Sequence, residues 1–207
     1  MMMKYRDRKH AGILLGQALQ ELILGEHLLV LGIPRGGFEV AYYTAKILEA
    51  DLSIIVSKKL PYPGQKELAF GAISEDLSVY ITPLGNQLHP EVVMKIIEEK
   101  IDEIEIQVKN YRCGIPLPDM EDKTVIIVDD GIATGATLVP ALKLCRKKHP
   151  KKLMVAVPVS GNNPVSEIYS LSDAVCILSQ PKRFYGVGQA YEDFHGLNDE
   201  EVKALLN

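Results

Sequence analysis

Short apolar runs alternate with helix-period segments along most of the chain. The runs "HLLVLGI" (27–33), "LSIIVSKKL" (52–60), "KTVIIVDD" (123–130), "KLMVAVPVS" (152–160) and "DAVCILSQ" (173–180) are dense in Val, Ile and Leu. Runs of this kind, without polar alternation, are expected of strands covered on both faces. The segment "DRKHAGILLGQALQEL" (7–22) puts Ile13, Leu14, Ala18 and Leu22 on one helical face, with Asp7 as its cap. Residues 36–50, 89–111, 136–150 and 164–171 read as further helices, and Pro140 is tolerable only in a first turn. The tail from 184 is aromatic-rich and ends in a short helix.

Residues 61–81 break the alternation. Pro61, Pro63 and Gly64 argue against a regular element at the start of this stretch, and its end alternates as a hairpin would. A connection of this length in a compact domain is often a lid. The pattern as a whole predicts an α/β fold, a doubly wound, mostly parallel sheet with helices on both faces. One domain over 1–207 is expected, with a lid-like loop at about 60–82. Such sheets bind ligands beyond the carboxyl ends of their strands, where the strand order reverses. The first strand delivers Pro34, Arg35, Gly36 and Gly37 there, the second Lys58 and Lys59, and the third Asp129 and Asp130.

Composition narrows the function classes. With 207 residues, 47% of them hydrophobic, the chain can bury one core without staples. A net charge of -4 argues against nucleic-acid binding through a basic surface. Cys113, Cys145 and Cys176 lie far apart, with no zinc-type spacing and an odd count. A cytoplasmic protein is expected, because the opening residues lack the apolar core of a signal peptide. No run approaches a membrane span.

The chemistry concentrates in "VIIVDDGIATGAT" (125–137). A loop of small residues entering a helix leaves backbone N–H groups free, and the helix dipole adds to them. Gly131, Ala133, Thr134, Gly135, Ala136 and Thr137 would make such an anion site, with threonine hydroxyls as extra donors. Asp129 and Asp130 would repel an anion, so they must serve ligand hydroxyls, a metal ion, or both. A sugar phosphate satisfies both halves. The plainer alternative is a helix cap and a glycine turn; one aspartate could cap, but two in a row after a buried strand are harder to excuse.

This motif resembles the phosphoribosyl-pyrophosphate (PRPP) signature of the type I phosphoribosyltransferases. "LGIPRGG", "KKL", "PGQKELAFGAI", "FYGVGQAYEDF" and "NDEEVKALL" extend the resemblance over the whole chain, to the subfamily of predicted phosphoribosyltransferases. The resemblance implies an enzyme, a pentosyltransferase, that displaces pyrophosphate at ribose C1 with a base or other nitrogen nucleophile. It implies Mg²⁺ as cofactor, near Asp129 and Asp130 through water. Asp129, Asp130, Arg35 and Lys58 would be catalytic, and residues 131–137 would hold the 5-phosphate. Pro34, Arg35, Gly36, Gly37, Lys58 and Lys59 would hold pyrophosphate, the Pro34–Arg35 peptide being cis. Lys66 and Glu67 would be the polar candidates of the lid. A hood-like tail, about 181–207, would supply the acceptor pocket, with Phe184, Tyr185 and Tyr191 as stacking candidates beside Phe194. Ala133 stands where 6-oxopurine enzymes carry an aspartate, which disfavours hypoxanthine or guanine as acceptor. The partners implied are PRPP and an unidentified acceptor, with a homodimer possible and no nucleic acid or membrane. The rival reading is a non-catalytic PRPP-sensing protein on the same fold.

Overall fold

The computed structural model describes residues 4–23 and 27–206, apart from the side chains of Lys66 and Glu67. Chain order runs α1 (Arg8–Leu22), β1 (Leu28–Gly32), α2 (Gly36–Leu48), β2 (Asp51–Ile54), β3 (Ser57–Tyr62), β4 (Gln65–Ser74), β5 (Val79–Ile81) and α3 (Pro90–Arg112). It continues with β6 (Thr124–Val128), α4 (Leu138–Arg146), β7 (Lys152–Val159), α5 (Glu167–Leu171), β8 (Ala174–Ser179) and α6 (Asp199–Leu206). Five strands form a parallel sheet in the order β2-β1-β6-β7-β8. The order reverses between β1 and β6, which pair from Leu28↔Thr124 to Gly32↔Val128.

The apolar runs are explained by the two covers of this sheet. Leu29, Leu31, Val125, Ile127, Leu153 and Val155 face α4 and α5, packing on Leu138, Leu142 and Ile168. Their alternate neighbours Val30, Ile126, Val128, Met154 and Ala156 face α1 and α2. In the central strands β1, β6 and β7 both faces are dry, so neither parity can be polar, whereas the edge strands β2 and β8 are only partly buried.

Asp7 caps α1 as expected, its Oδ1 accepting from the His10 N–H at 2.7 Å. The buried face of α1 is not the expected one. Ala11, Leu15 and Leu19 are buried with Gly12 and Gly16, while Leu22 is largely exposed and Ile13, Leu14 and Ala18 are half-buried. The two glycines decide the rotation. A Cβ on Gly12 would stand 2.5 Å from the Val40 carbonyl oxygen, and one on Gly16 would stand 2.6 Å from Ile47 Cβ. Close helix contact with α2 sets the face; the bulk of the apolar side chains does not.

The expected strand over 52–60 is two strands. Beyond Ile54 the chain leaves the parallel sheet and enters a separate antiparallel sheet, β3-β4-β5. The Ile55 N–H still donates to the Gly32 carbonyl at 3.1 Å, and the outward-facing groups on either side of it are taken by side chains. Arg112 Nη1 donates to the Ile54 carbonyl at 3.2 Å, and Glu75 Oε1 accepts from the Val56 N–H at 3.0 Å. Arg112 and Glu75 also form a buried ion pair with each other. Lys58 and Lys59 therefore lie inside β3 and do not end a strand of the main sheet. The prolines do not exclude a strand either: Pro61 sits at a register shift on an edge strand, where no ladder donor is missed. Pro63 and Gly64, with φ +75° at the glycine, form the turn into β4. The side chains of Lys66 and Glu67 lie outside the described residues.

α4 is shorter than the expected 136–150, and Pro140 is its third residue, where no intrahelical donor is needed. No helix among the described residues is long and apolar enough to cross a membrane.

Candidate active site

Two strands of the main sheet, β1 and β6, end at the switch point and open into a cleft of about 770 Å³. From β1 come Pro34, Arg35 and Gly36, with the Pro34–Arg35 peptide cis. From β6 come Asp129, Asp130 and the loop Gly131 to Thr137, all lining the cleft except Ile132. Ser57, Lys58, Lys59 and Pro61 reach it from β3, and Glu99, Lys100 and Glu103 from α3. Val187 and Phe194 of the tail close it.

The loop is built around one anchor. Ile132 is buried, donates its N–H to the Val159 carbonyl at 2.9 Å and accepts from the Gly161 N–H at 2.8 Å. The next turn is thereby lifted clear of the sheet. Gly135 has φ +82°, and a Cβ there would stand 2.3 Å from Ile168 Cδ1, so glycine is required twice over. Among the described residues, no protein acceptor takes the N–H of Ala133, Thr134, Gly135 or Thr137. These donors sit at the start of α4, where the helix dipole favours negative charge. Ser57 Oγ donates to the Thr137 carbonyl at 2.7 Å and ties the antiparallel sheet to the end of the loop.

The aspartate pair is held from three sides. Asp129 Oδ1 accepts the Asp130 N–H at 2.9 Å. Asp130 Oδ2 accepts from Arg8 Nε at 2.9 Å, and the Tyr191 hydroxyl donates to the Asp130 carbonyl at 2.6 Å. Arg8 is itself buried, donates Nη1 to the His195 carbonyl at 2.8 Å and lies 4.0 Å above the Phe194 ring. Burial pushes the Asp129 carboxyl well up, and the neighbouring Asp130 adds to the shift. Burial also raises Asp130, against the pull of Arg8. The two titrate as a pair.

Gly36 and Gly37 have a steric role here. A Cβ on Gly36 would stand 2.2 Å from Asp130 Oδ2, and one on Gly37 would stand 2.7 Å from Asp129 Cα. The α2 N-terminus can approach the carboxylates only without side chains. Gly37→Ala is expected to cost about 1–3 kcal/mol, since backbone has to move. Denaturant unfolding checks this, and an unchanged midpoint would refute the steric account.

The lysines separate. Lys58 Nζ lies 3.5 Å from Glu103 Oε2, and burial lowers its pKa. Lys59 is the lysine whose charge acts on both aspartates. Arg35 Nη1 stands 3.9 Å from Asp199 of α6.

A family model described as phosphoribosyl transferase domain matches residues 7–191. The chain belongs to this family. A Mycobacterium tuberculosis (strain H37Rv) protein named "Putative phosphoribosyl transferase Rv0571c" is 36% identical over 206 residues, covering 98% of this chain and 46% of that protein. The chain thus spans about half the length of the curated relatives it matches. The crystal structure of TT1426 from Thermus thermophilus is 35% identical, with a TM-score of 0.81 over 99% of this chain and 98% of that one. A purine phosphoribosyltransferase from Pyrococcus horikoshii is 20% identical with a TM-score of 0.51, over 96% and 99% of the two chains, and shares the fold. The sheet and its helices are those of a type I phosphoribosyltransferase.

In this phosphoribosyltransferase-family chain the aromatic candidates Phe184, Tyr185 and Tyr191 do not line the cleft. Tyr191 is 4% exposed, packs between Tyr5 and Phe194 and braces Asp130 from behind, so it offers no open ring face. Phe184 packs beside Gly161, and Tyr185 is 89% exposed; neither lines the cleft. Phe194 and Val187 do. Sequence reasoning missed Arg8, Ser57, Glu99, Lys100 and Glu103. Arg8 opens a helix with no motif around it, and the α3 residues read as the solvated face of an amphipathic helix. No local signal marked either.

Proposed function

We propose that the protein is a Mg²⁺-dependent phosphoribosyltransferase that uses PRPP and transfers its ribosyl phosphate to a nitrogen nucleophile. The observation that carries this reading is one juxtaposition: a loop with unpaired N–H donors directly follows two half-buried carboxylates, in one cleft with Arg35, Lys58 and Lys59. The loop N–H groups and the hydroxyls of Thr134 and Thr137 hold the 5-phosphate. Asp129 and Asp130 accept hydrogen bonds from the ribose hydroxyls. Arg35, Lys58, Lys59 and the N–H groups at Gly36 and Gly37 meet the pyrophosphate.

The donor set fits a divalent cation shared with substrate. Among the described residues no group of three or more His, Cys, Asp or Glu is arranged for a metal. Two adjacent carboxylates at the cleft, both raised by burial and Asp129 also by Asp130, still favour a cation. Mg²⁺ is commonly held by one or two carboxylates plus substrate phosphates. When bound, it would neutralise charge on the leaving pyrophosphate.

In the reaction the C1–oxygen bond to pyrophosphate breaks and a carbon–nitrogen bond forms on the opposite face. Positive charge develops on the ribose ring. The protein's part is to position and to stabilise charge, without a covalent intermediate. The β3-β4-β5 segment, with residues 60–82, is the lid that excludes water from the activated sugar. Ala133 lines the cleft where 6-oxopurine enzymes carry an aspartate, which disfavours a 6-oxopurine acceptor. The reading goes with a cytoplasmic protein acting on small molecules.

The test is pyrophosphate release from PRPP and Mg²⁺ with a panel of nitrogenous acceptors. Release with at least one non-6-oxopurine acceptor is expected. PRPP binding without release across a broad panel would favour PRPP sensing, and no binding would sink both.

A further inference from the structure

We infer that Lys100 of α3 belongs to the pyrophosphate subsite and that Glu103 is a resident counter-ion which the incoming anion displaces. The inference rests on the reading of the cleft as a PRPP site. α3 enters that cleft through Glu99, Lys100 and Glu103. Glu103 lies between two ammonium groups: Lys58 at 3.5 Å and Lys100, with which it makes a close ion pair one helical turn away. Lys58 and Lys100 come from different elements, β3 and α3, and converge only here. Arg35 is the next cation, near enough with Lys100 to disfavour the charged form of Lys58.

Two ammonium groups facing one carboxylate leave a local surplus of positive charge. Such a pair in a concave site needs an anion to hold it, and Glu103 supplies one. Lys58 and Lys100 keep only 26% and 19% of their side chains exposed, whereas Glu103 keeps 47%. The carboxylate can therefore swing into water at little cost, while the lysines stay directed into the cleft. A diphosphate offers more acceptor oxygens and more charge than one carboxylate, so it wins the exchange. Glu99 and Asp199 are the other acidic groups near this wall, and Asp199 is turned to Arg35 and Tyr111.

The two charges on α3 thus act in opposite directions, which a merely structural role would not produce. The experiment is calorimetric titration of Mg²⁺-pyrophosphate into the wild-type chain, Lys100→Gln, Glu103→Gln and Glu105→Gln. Glu105 is exposed on the same helix and does not line the cleft, so its variant controls for net charge. Lys100→Gln is expected to weaken binding roughly ten-fold, the loss of one charge-assisted contact. Glu103→Gln is expected to tighten binding about three-fold, because the competitor is gone. Glu105→Gln should leave it unchanged. Weaker binding in Glu103→Gln, an equal gain in Glu105→Gln, or no loss in Lys100→Gln would overturn the inference alone. Failure of the wild-type chain to bind would overturn it together with the reading it rests on.

Discussion

Asp129→Asn is expected to stabilise the ligand-free protein and to cut the proposed phosphoribosyl transfer sharply. Burial, with Asp130 adjacent, holds the Asp129 carboxyl well above the usual carboxylate range. The sign follows from proton counting. Between an unfolded value of about 4 and the raised folded value, the native state binds a proton that the unfolded chain has released. That contribution is present at low pH and is lost as pH rises through the folded value. Asn cannot ionise, so the variant escapes the loss. The difference in Tm between variant and wild type should be near zero at about pH 4 and should grow to about 3–6 °C by pH 8. Measuring the difference matters, because Asp76, Asp173 and Glu103, with lowered values, lose stability as pH falls in both proteins. On the proposed reading of the cleft as a PRPP site, turnover of PRPP should fall by about 100-fold, through lost charge and hydrogen bonding at the ribose. A variant that is less stable than wild type at pH 8 would show that the carboxylate is already compensated and would undo the electrostatic account.

Arg8→Met is expected to be the most damaging single change outside the sheet. Arg8 is 5% exposed and satisfies Asp130, the His195 carbonyl and the Phe194 ring together. Removing it strands a half-buried carboxylate beside a second one. Breaking a buried pair from one side costs about 3–5 kcal/mol, a fall in Tm of about 10 °C for a chain this size. The decisive comparison is the double variant Arg8→Met with Asp130→Asn, which leaves no stranded charge. It should recover much of the loss, and thermal unfolding of the four proteins gives the coupling directly. Additive losses would mean that Arg8 stabilises by packing alone. Arg8→Lys should recover only part, since an ammonium group cannot make the forked contact and the ring stack together.

Both predictions concern residues that the sequence made visible to very different degrees. Asp129 and Asp130 stand in a contiguous motif, and their place at the end of a buried strand followed from the apolar run before them. Arg8 is 122 positions away from its partner, in a segment with only a helix cap to distinguish it. The carboxylates were legible because chemistry and strand are adjacent in the chain. Their counter-charge was not, because tertiary folding supplies it.

The same division runs through the fold. Strands buried on both faces and helices between them have local periods, so β1, β6, β7, β8 and the long α3 could be read directly. The break after Ile54 could not. It coincides with Arg112 and Glu75, 58 and 19 positions from their backbone partners, which hold the outer edge of the chain where it turns from β2 into β3. The buried face of α1 escaped for a similar reason: Gly12 and Gly16 are chosen by the closeness of α2, a partner outside the segment.

The sequence by itself determined the parallel sheet, the loop from Gly131 to Thr137 and the two carboxylates before it, because each is encoded in consecutive residues. Only the tertiary structure decided which cations meet them. It turned Lys58 toward Glu103, set the charge of Lys59 on the aspartates, brought α3 into the cleft and buried Tyr191 behind Asp130. Charge interactions reach across space between distant segments, and hydrophobic periodicity along one segment carries no record of them.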